Sequence, residues 1–377
     1  MASNSSYSTY QEIKSPNDHT YKLLQLTPDL LDYIKSNEHG ELLLKSPPIL
    51  KNHIVLVTDN KTWKMRQMNH SNSVLLLNNM KINKLNKTLE HIIPVEEPTN
   101  QLLGIANLAY EYELSKIPGY IEIGNLPTYD GNFEVANEID SSRNVEALMN
   151  DSPISREEFY KEWYTLCGCE IEGKAVILSK EFITNGLQLL IPILITKDID
   201  YKSDAFNISI ADISKEMRQQ NRLYTQEVTN TILHKFCIKH HESNMLKLNN
   251  LAVAKWFGIQ TLFSTNANLI SPKDFLLKWK SSFPPFYNVP IDLSQMRGYY
   301  CRPLNEQIQF LNPSTLTPGD MSTRVKELFQ IVKEWEYEEF LPFIEEFIPK
   351  GKKPESIVLK YAKKKRVGKN RFMVCPR

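Results

Sequence analysis

The sequence predicts an α+β protein, with a β-rich partial barrel at its N-terminal end and tandem winged-helix domains after it. Three observations carry this. Short runs rich in Leu and Val, punctuated by turn residues, crowd into residues 21–77. Beyond residue 150, apolar residues recur at helical spacing, with N-cap signals before them and brief strand-like runs behind them. Hydrophobic residues make up 41% of the 377 and aromatics 10%, enough to fill several cores.

Residues 1–20 are polar, lack the apolar stretch of a secretory signal, and read as a disordered tail. Residues 21–135 form the expected assembly domain, with strands at 21–26, 41–45, 54–58, 62–68 and 73–77. A short helix is expected at 28–34, and Asp59-Asn60-Lys61 supplies a tight turn. A weaker strand pair is expected at 102–108 and 120–123, with linkers at 81–100 and 129–144. Such small strands need a sheet larger than one hairpin, and an incomplete barrel leaves edges that want a partner or a cover.

Three helix-plus-wing units are then expected, at 142–215, 216–315 and 316–377. The first opens on Ser155-Arg156-Glu157-Glu158, a capping box with its acid at N3, ahead of Phe159, Trp163 and a strand at 175–178. In the second, Val228, Ile232 and Phe236 share one helix face, as do Val253, Trp256 and Phe257. Ser271-Pro272-Lys273-Asp274 then supplies an N-cap, a proline at N1 and a carboxylate for the positive helix end. Phe275, Leu276 and Trp279 follow, Phe283-Pro284-Pro285 stops that helix, and two brief strands are expected at 299–301 and 307–310. The third unit opens with Val325, Leu328, Phe329, Val332 and Trp335 at helical spacing. All five tryptophans read as core anchors rather than base-stacking platforms.

The net charge of +1 conceals an asymmetry. Residues 350–377 hold eleven Lys/Arg against the single acid Glu355, a net of +10, so the rest of the chain carries −9. An acidic body with a basic end points to nucleic acid or nuclear import. Ile357, Val358 and Tyr361 share one face of a predicted helix, with Lys360, Lys363 and Lys364 on the other. Lys365, Arg366, Lys369 and Arg371 continue the charge. These seven are the candidate DNA-binding residues, and Lys363-Lys364-Lys365-Arg366 is also a candidate import signal.

Other chemistries are disfavoured by residue type. Gly168-Cys169-Glu170-Ile171-Glu172-Gly173-Lys174-Ala175 is one residue short of a phosphate-binding loop. Ala175 stands where the magnesium hydroxyl belongs, Glu170 and Glu172 oppose phosphate, and a strand rather than a helix follows. The segment reads as a turn, so no ATP site and no catalytic residue is expected. His234, Cys237, His240 and His241 lack the second ligand pair that zinc needs, and no metal or cofactor is expected. Five cysteines without a regular framework suit a reducing compartment. The longest apolar run, 187–195, is too short to span a bilayer, and no membrane partner is expected.

Several motifs in order resemble one family: YKLLQLTPDLLDYI and DNKTWKMRQMNHSNSVLLL near the start, VAKWFGIQ, FLLKWKSSFPPF and LSQMRGYY in the middle, and RVKELF, EWEYEEFLPFI and LKYAKKKR near the end. They resemble the sister chromatid cohesion proteins called Dcc, for defective in sister chromatid cohesion, and the likeness covers nearly the whole chain. The resemblance implies a nuclear, non-enzymatic subunit of an alternative replication factor C-like clamp loader acting on proliferating cell nuclear antigen. It implies an N-terminal barrel shared with two chromosome-transmission-fidelity subunits, association with the small replication factor C subunits, and a tether to DNA polymerase epsilon. A stand-alone winged-helix transcription regulator is the alternative, disfavoured by the acidic body.

Overall fold

The computed structural model describes residues 8–11, 20–36, 40–46, 54–79, 101–124, 126–132, 143–240, 245–265, 268–304, 306–349, 351–369 and 371–377. The expected linker at 81–100, most of the polar tail and residues 133–142 lie outside them. Among the described residues, eleven α-helices and several sheets make a mixed α+β fold. The chain divides into two compact units. One holds residues 1–126, 141–166 and 172–175; the other holds 127–140, 167–171 and 176–377.

The first unit is built on a sheet that curls into a half-barrel. Its strands are β1 (Ser8–Gln11), β2 (Leu23–Gln25), β3 (Leu43–Lys45), β4 (Val55–Val57), β5 (Thr62–Asn79) and β6 (Gln101–Ile117), in the order β1-β6-β5-β4-β3 with β2 also on β6. The two strands expected at 62–68 and 73–77 are one. The polar residues between them form a register shift between Asn69 and Val74, which bends the strand without ending it. The strand expected at 102–108 runs on to Ile117, and 120–123 is not a strand. Helix α1 (Pro28–Ser36) buries Leu30 against Leu56, Trp63 and Leu114.

The same unit contains α2 (Val145–Asp151) and α3 (Arg156–Thr165). Ser155 caps α3 by accepting the Glu158 N–H, as its sequence predicts. The Glu158 carboxylate, however, turns to Thr62, and the Thr62 hydroxyl accepts the Ser155 N–H at 3.0 Å. Half-buried Lys45 donates to the carbonyls of Met149 (2.7 Å) and Ile154 (2.9 Å), tying β3 to the end of α2. Burial holds its amine below the ordinary lysine range.

Strand β7 (Thr128–Tyr129) lies parallel to β9 (Lys174–Leu178), which also pairs with β8 (Gly168–Ile171). Glu172 and Gly173, the two residues turning β8 into β9, both have positive φ, as a tight I′ hairpin turn requires. The near-miss phosphate loop is therefore strand, turn and strand.

The remaining elements repeat one order: helix, short strand, helix, helix, hairpin. The first set is α4 (Lys180–Thr196), β10 (Ile208–Ser209), α5 (Ile210–Gln220), α6 (Gln226–Phe236), β11 (Cys237–Lys239) and β12 (Met245–Leu248). The second is α7 (Asn250–Ser264), an Ile270–Ile308 bridge, α8 (Pro272–Ser281), a 3-10 turn (Leu293–Met296), β13 (Tyr300–Cys301) and β14 (Gln309–Phe310). The third is α9 (Met321–Ile331), β15 (Trp335–Glu336), α10 (Tyr337–Phe340), α11 (Pro354–Tyr361), β16 (Ala362–Arg366) and β17 (Phe372–Pro376). In all three the first strand or bridge pairs antiparallel with the last strand segment, which also pairs with the one between.

Each set is held by the aromatic and aliphatic faces that its helices present. Val228, Ile232 and Phe236 are buried on α6, and Phe275 and Trp279 on α8. The Trp279 indole donates to the Ala254 carbonyl at 2.8 Å, so its one polar atom is satisfied. Trp335 is a core anchor, yet it opens β15 rather than extending a helix, because α9 ends at Ile331; its indole donates to the Leu328 carbonyl. The second and third sets meet at buried Glu339, which accepts from the Tyr300 hydroxyl at 2.7 Å and from the Arg302 guanidinium at 2.9 to 3.0 Å. Among the described residues no helix is long and apolar enough to cross a membrane.

Candidate nucleic-acid interface

The basic residues at the C-terminal end do not form one helical face. Helix α11 stops at Tyr361, where Ala362 turns extended at φ −142°, ψ 167°. Lys363, Lys364, Lys365 and Arg366 are strand β16, paired antiparallel with β17 in the register Lys363 to Cys375, Lys364 to Val374 and Lys365 to Met373. A continued helix would set Lys360 and Lys364 one turn apart, like charge on like. The hairpin instead alternates the cations between faces and buries Val374 beneath it.

That alternation sorts the candidates. Lys364 turns inward: its ammonium lies 4.0 Å from the centroid of the Phe372 ring and 4.4 Å from that of Tyr337, and pairs with Glu355 at 2.7 Å. Arg366 braces the hairpin turn by donating to the carbonyls of Gly368 (3.0 Å) and Lys369 (2.9 Å). Arg371 pairs with Glu336. Lys360, Lys363, Lys365 and Lys369 are exposed and enter no ion pair among the described residues. Lys352 and Lys353, exposed in the turn before α11, add to this surface and were not among the sequence candidates, although the charge count included them.

Sequence reading also missed a second cationic surface. Lys215 and Arg218 on α5, Arg222 in the turn and Gln226 at the start of α6 line a groove of about 700 Å³, whose lining includes no acid. These cations are scattered through a mixed-charge stretch, so no run marks them; the one signal is the three- and four-residue spacing of 215, 218 and 222.

The other sequence candidates place as follows. His234 is half-buried, and burial holds its imidazole below the ordinary range; His241 lies outside the described residues. No group of three potential ligands able to hold a metal ion occurs among the described residues. Cys169 is buried and its thiol is pushed up to about 12 by desolvation, which leaves it protonated and unreactive at neutral pH.

These features define a class: an α+β protein with a curled half-barrel sheet at one end of the chain and a cationic hairpin at the other. A sequence model of the family described as Sister chromatid cohesion protein Dcc1 matches residues 21–344, and the chain belongs to that family. It is 33% identical over 365 residues, 93% of this chain and 95% of the relative, to the Sister chromatid cohesion protein DCC1 of Saccharomyces cerevisiae. It is 26% identical over 356 residues, 92% and 91% of the two chains, to the Probable sister chromatid cohesion protein DCC1 of Dictyostelium discoideum. The family match ends at residue 344, before the cationic hairpin.

Proposed function

We propose that this chain acts in sister chromatid cohesion as a non-catalytic nuclear subunit of an alternative replication factor C-like clamp loader. The cohesion role follows from family membership. The finer reading has the loader act on proliferating cell nuclear antigen during DNA replication. In it the first unit joins two chromosome-transmission-fidelity subunits, the small replication factor C subunits belong to the same complex, and the second unit links the assembly to DNA polymerase epsilon and DNA.

The observation that carries the assembly reading is the outer edge of β5. Strand β4 covers it only at Thr62–Lys64, with one further bond from the Met65 N–H to the Ile54 carbonyl. Residues 66–79 have no partner on that side among the described residues, and β1 and β2 leave 105–110 of β6 uncovered on the other. Leu75 and Leu77 are exposed on this ribbon, 58% and 37%. A long two-stranded ribbon is marginal alone, and its free N–H and C=O groups template another chain's strand.

The three repeated sets read as winged-helix modules at 180–248, 250–310 and 321–376, in place of the expected 142–215, 216–315 and 316–377. The helix–strand–helix–helix–hairpin order, with the hairpin's second strand in the middle of each small sheet, supports this. The hairpin β16–β17 is then a wing, whose free lysines suit phosphates more than base edges. The groove of Lys215, Arg218 and Arg222 gives a second module the same charge.

Co-expression tests the assembly. The full chain should co-elute with both partner subunits, and Leu75→Asp with Leu77→Asp should abolish co-elution while leaving a folded chain. Undiminished co-elution of that variant would contradict the proposal.

A further inference from the structure

The groove at the turn between α5 and α6 gathers cations that the fold leaves uncompensated. Lys215 and Arg218 on α5 and Arg222 in the turn all line it, are exposed, and enter no ion pair among the described residues. Glu216, beside Lys215, is held by Lys197 at 2.9 Å, and the groove lining contains no acid. Like charges three and four residues apart on one surface are mutually unfavourable until an anion neutralises them. The end of α6 adds to the same field. Thr225 caps that helix by accepting the Val228 N–H at 3.4 Å, which leaves the N–H groups of Gln226 and Glu227 without intrahelical partners. Gln226 lines the groove and brings the positive helix end to it. Ser214, 6% exposed, also lines the groove, and its buried hydroxyl has no partner among the described residues. A buried hydroxyl is normally satisfied, so this one is a donor in want of an acceptor.

Three cations, a helix N-terminus and an orphan donor are the parts of a phosphate site. The surroundings decide what carries the phosphate. In a helix-turn-helix pair the second helix enters the major groove of DNA. Here that helix is α6, and beyond Glu227 none of its residues is exposed. Thr231 donates to the Gly168 carbonyl of β8 at 2.8 Å, and Phe236 packs edge-on against Trp256 of α7. A helix covered in this way cannot enter a duplex groove. Single strands are gripped by aromatic platforms, and no aromatic lines this groove. We infer that the groove receives a phosphoserine or phosphothreonine of a partner protein, its phosphate held by Arg218, Arg222 and Lys215. A phosphate monoester carries nearly two charges and three acceptor oxygens, which a carboxylate cannot match against so many donors. The volume, about 700 Å³, has room for the phosphorylated residue and its immediate neighbours.

The test titrates the full chain with fluorescent short peptides randomised around a central phosphoserine or phosphothreonine. The same peptides after phosphatase treatment, and peptides with Glu at the central position, are the comparisons. The phosphorylated pool should bind roughly tenfold or more tightly than either. Arg218→Gln with Arg222→Gln should erase that difference and keep the unfolding midpoint, because both side chains are exposed and unpaired. Ser214→Ala should weaken the phosphorylated pool by about threefold or more. Lys360→Ala, Lys363→Ala and Lys365→Ala together remove the proposed DNA contacts of the hairpin and should leave peptide affinity unchanged. Equal binding of phosphorylated and Glu peptides, no binding of the phosphorylated pool, or affinity unmoved by the Arg pair would overturn the inference. Displacement of the peptides by duplex DNA from the triple Ala variant would also do so, because it would assign the groove to nucleic acid.

Discussion

The Thr62 hydroxyl donates to Glu158 Oε2 at 2.6 Å while accepting the Ser155 N–H at 3.0 Å, so the first residue of β5 completes the cap of α3. Thr62 is fully buried, and the Ser155 hydroxyl supplies the second donor to the same carboxylate oxygen at 2.8 Å. The capping motif is local in sequence; its closure is not.

Thr62→Val keeps the shape and removes both bonds. Hydrogen bonds to charged groups contribute about 1.5–3 kcal/mol, so the variant should lose about 2 kcal/mol in the first unit's denaturant transition. A loss under about 0.5 kcal/mol would show that the cap closes without the strand.

Lys364 is structural despite its place in a basic run. Its ammonium lies over Phe372 and Tyr337 and pairs with Glu355, and a partly desolvated cation–π contact contributes roughly 1–2 kcal/mol. Lys364→Ala should lower the unfolding midpoint, whereas Lys363→Ala and Lys365→Ala, exposed on the same strand, should leave it within error. Equal effects from all three would contradict the burial pattern.

DNA binding should rest on Lys360, Lys363 and Lys365. Replacing the three with Ala should weaken all duplexes alike. It should also flatten the log–log salt dependence by two to three units, at roughly 0.9 per phosphate contact removed. Affinity measured for unrelated duplexes across a salt series checks this. Unchanged affinity would assign the charge to import or a protein, and strong preference for one duplex would favour a transcription regulator.

Burial raises several acids in the second unit: the Cys169 thiol to about 12, the Cys301 thiol to about 11 and the Tyr224 hydroxyl to about 12, each through desolvation of the charged form. A raised native pKa gives stability that is fully present below the ordinary values of 9.0 and 10.0 and is lost as pH rises through the native ones. The denaturant midpoint should therefore fall between pH 9 and roughly 11, and Cys169→Ala should make that fall shallower. A flat midpoint over this range would contradict it.

Local signals were legible in the sequence: the Ser155 and Ser271 caps, the proline at the start of α8, and the turn between Glu172 and Lys174. These depend on neighbours three or four residues away. The polar stretch 69–73 read as a strand break because a register shift and a turn share their residue types. The end of α11 was invisible because nothing in Tyr361-Ala362-Lys363 marks a stop; the partner strand Phe372–Pro376 imposes it. First strands such as Ile208–Ser209 and Trp335–Glu336 are too short to show periodicity, so no strand signal marked them in the sequence. The candidate residues were found by charge, and only tertiary contacts separated Lys364, Arg366 and Arg371 from the free lysines.

Hydrogen exchange over residues 66–79 tests the central claim of shared sheet assembly most directly. Outward-facing amides of 66–79 have no partner on that side among the described residues, and they should exchange rapidly in the solitary chain. With the two chromosome-transmission-fidelity subunits present, peptides covering 66–79 should become protected, while those covering 62–64, already paired with β4, change little. Protection already complete in the solitary chain, or exchange unaltered by the partners, would contradict the account.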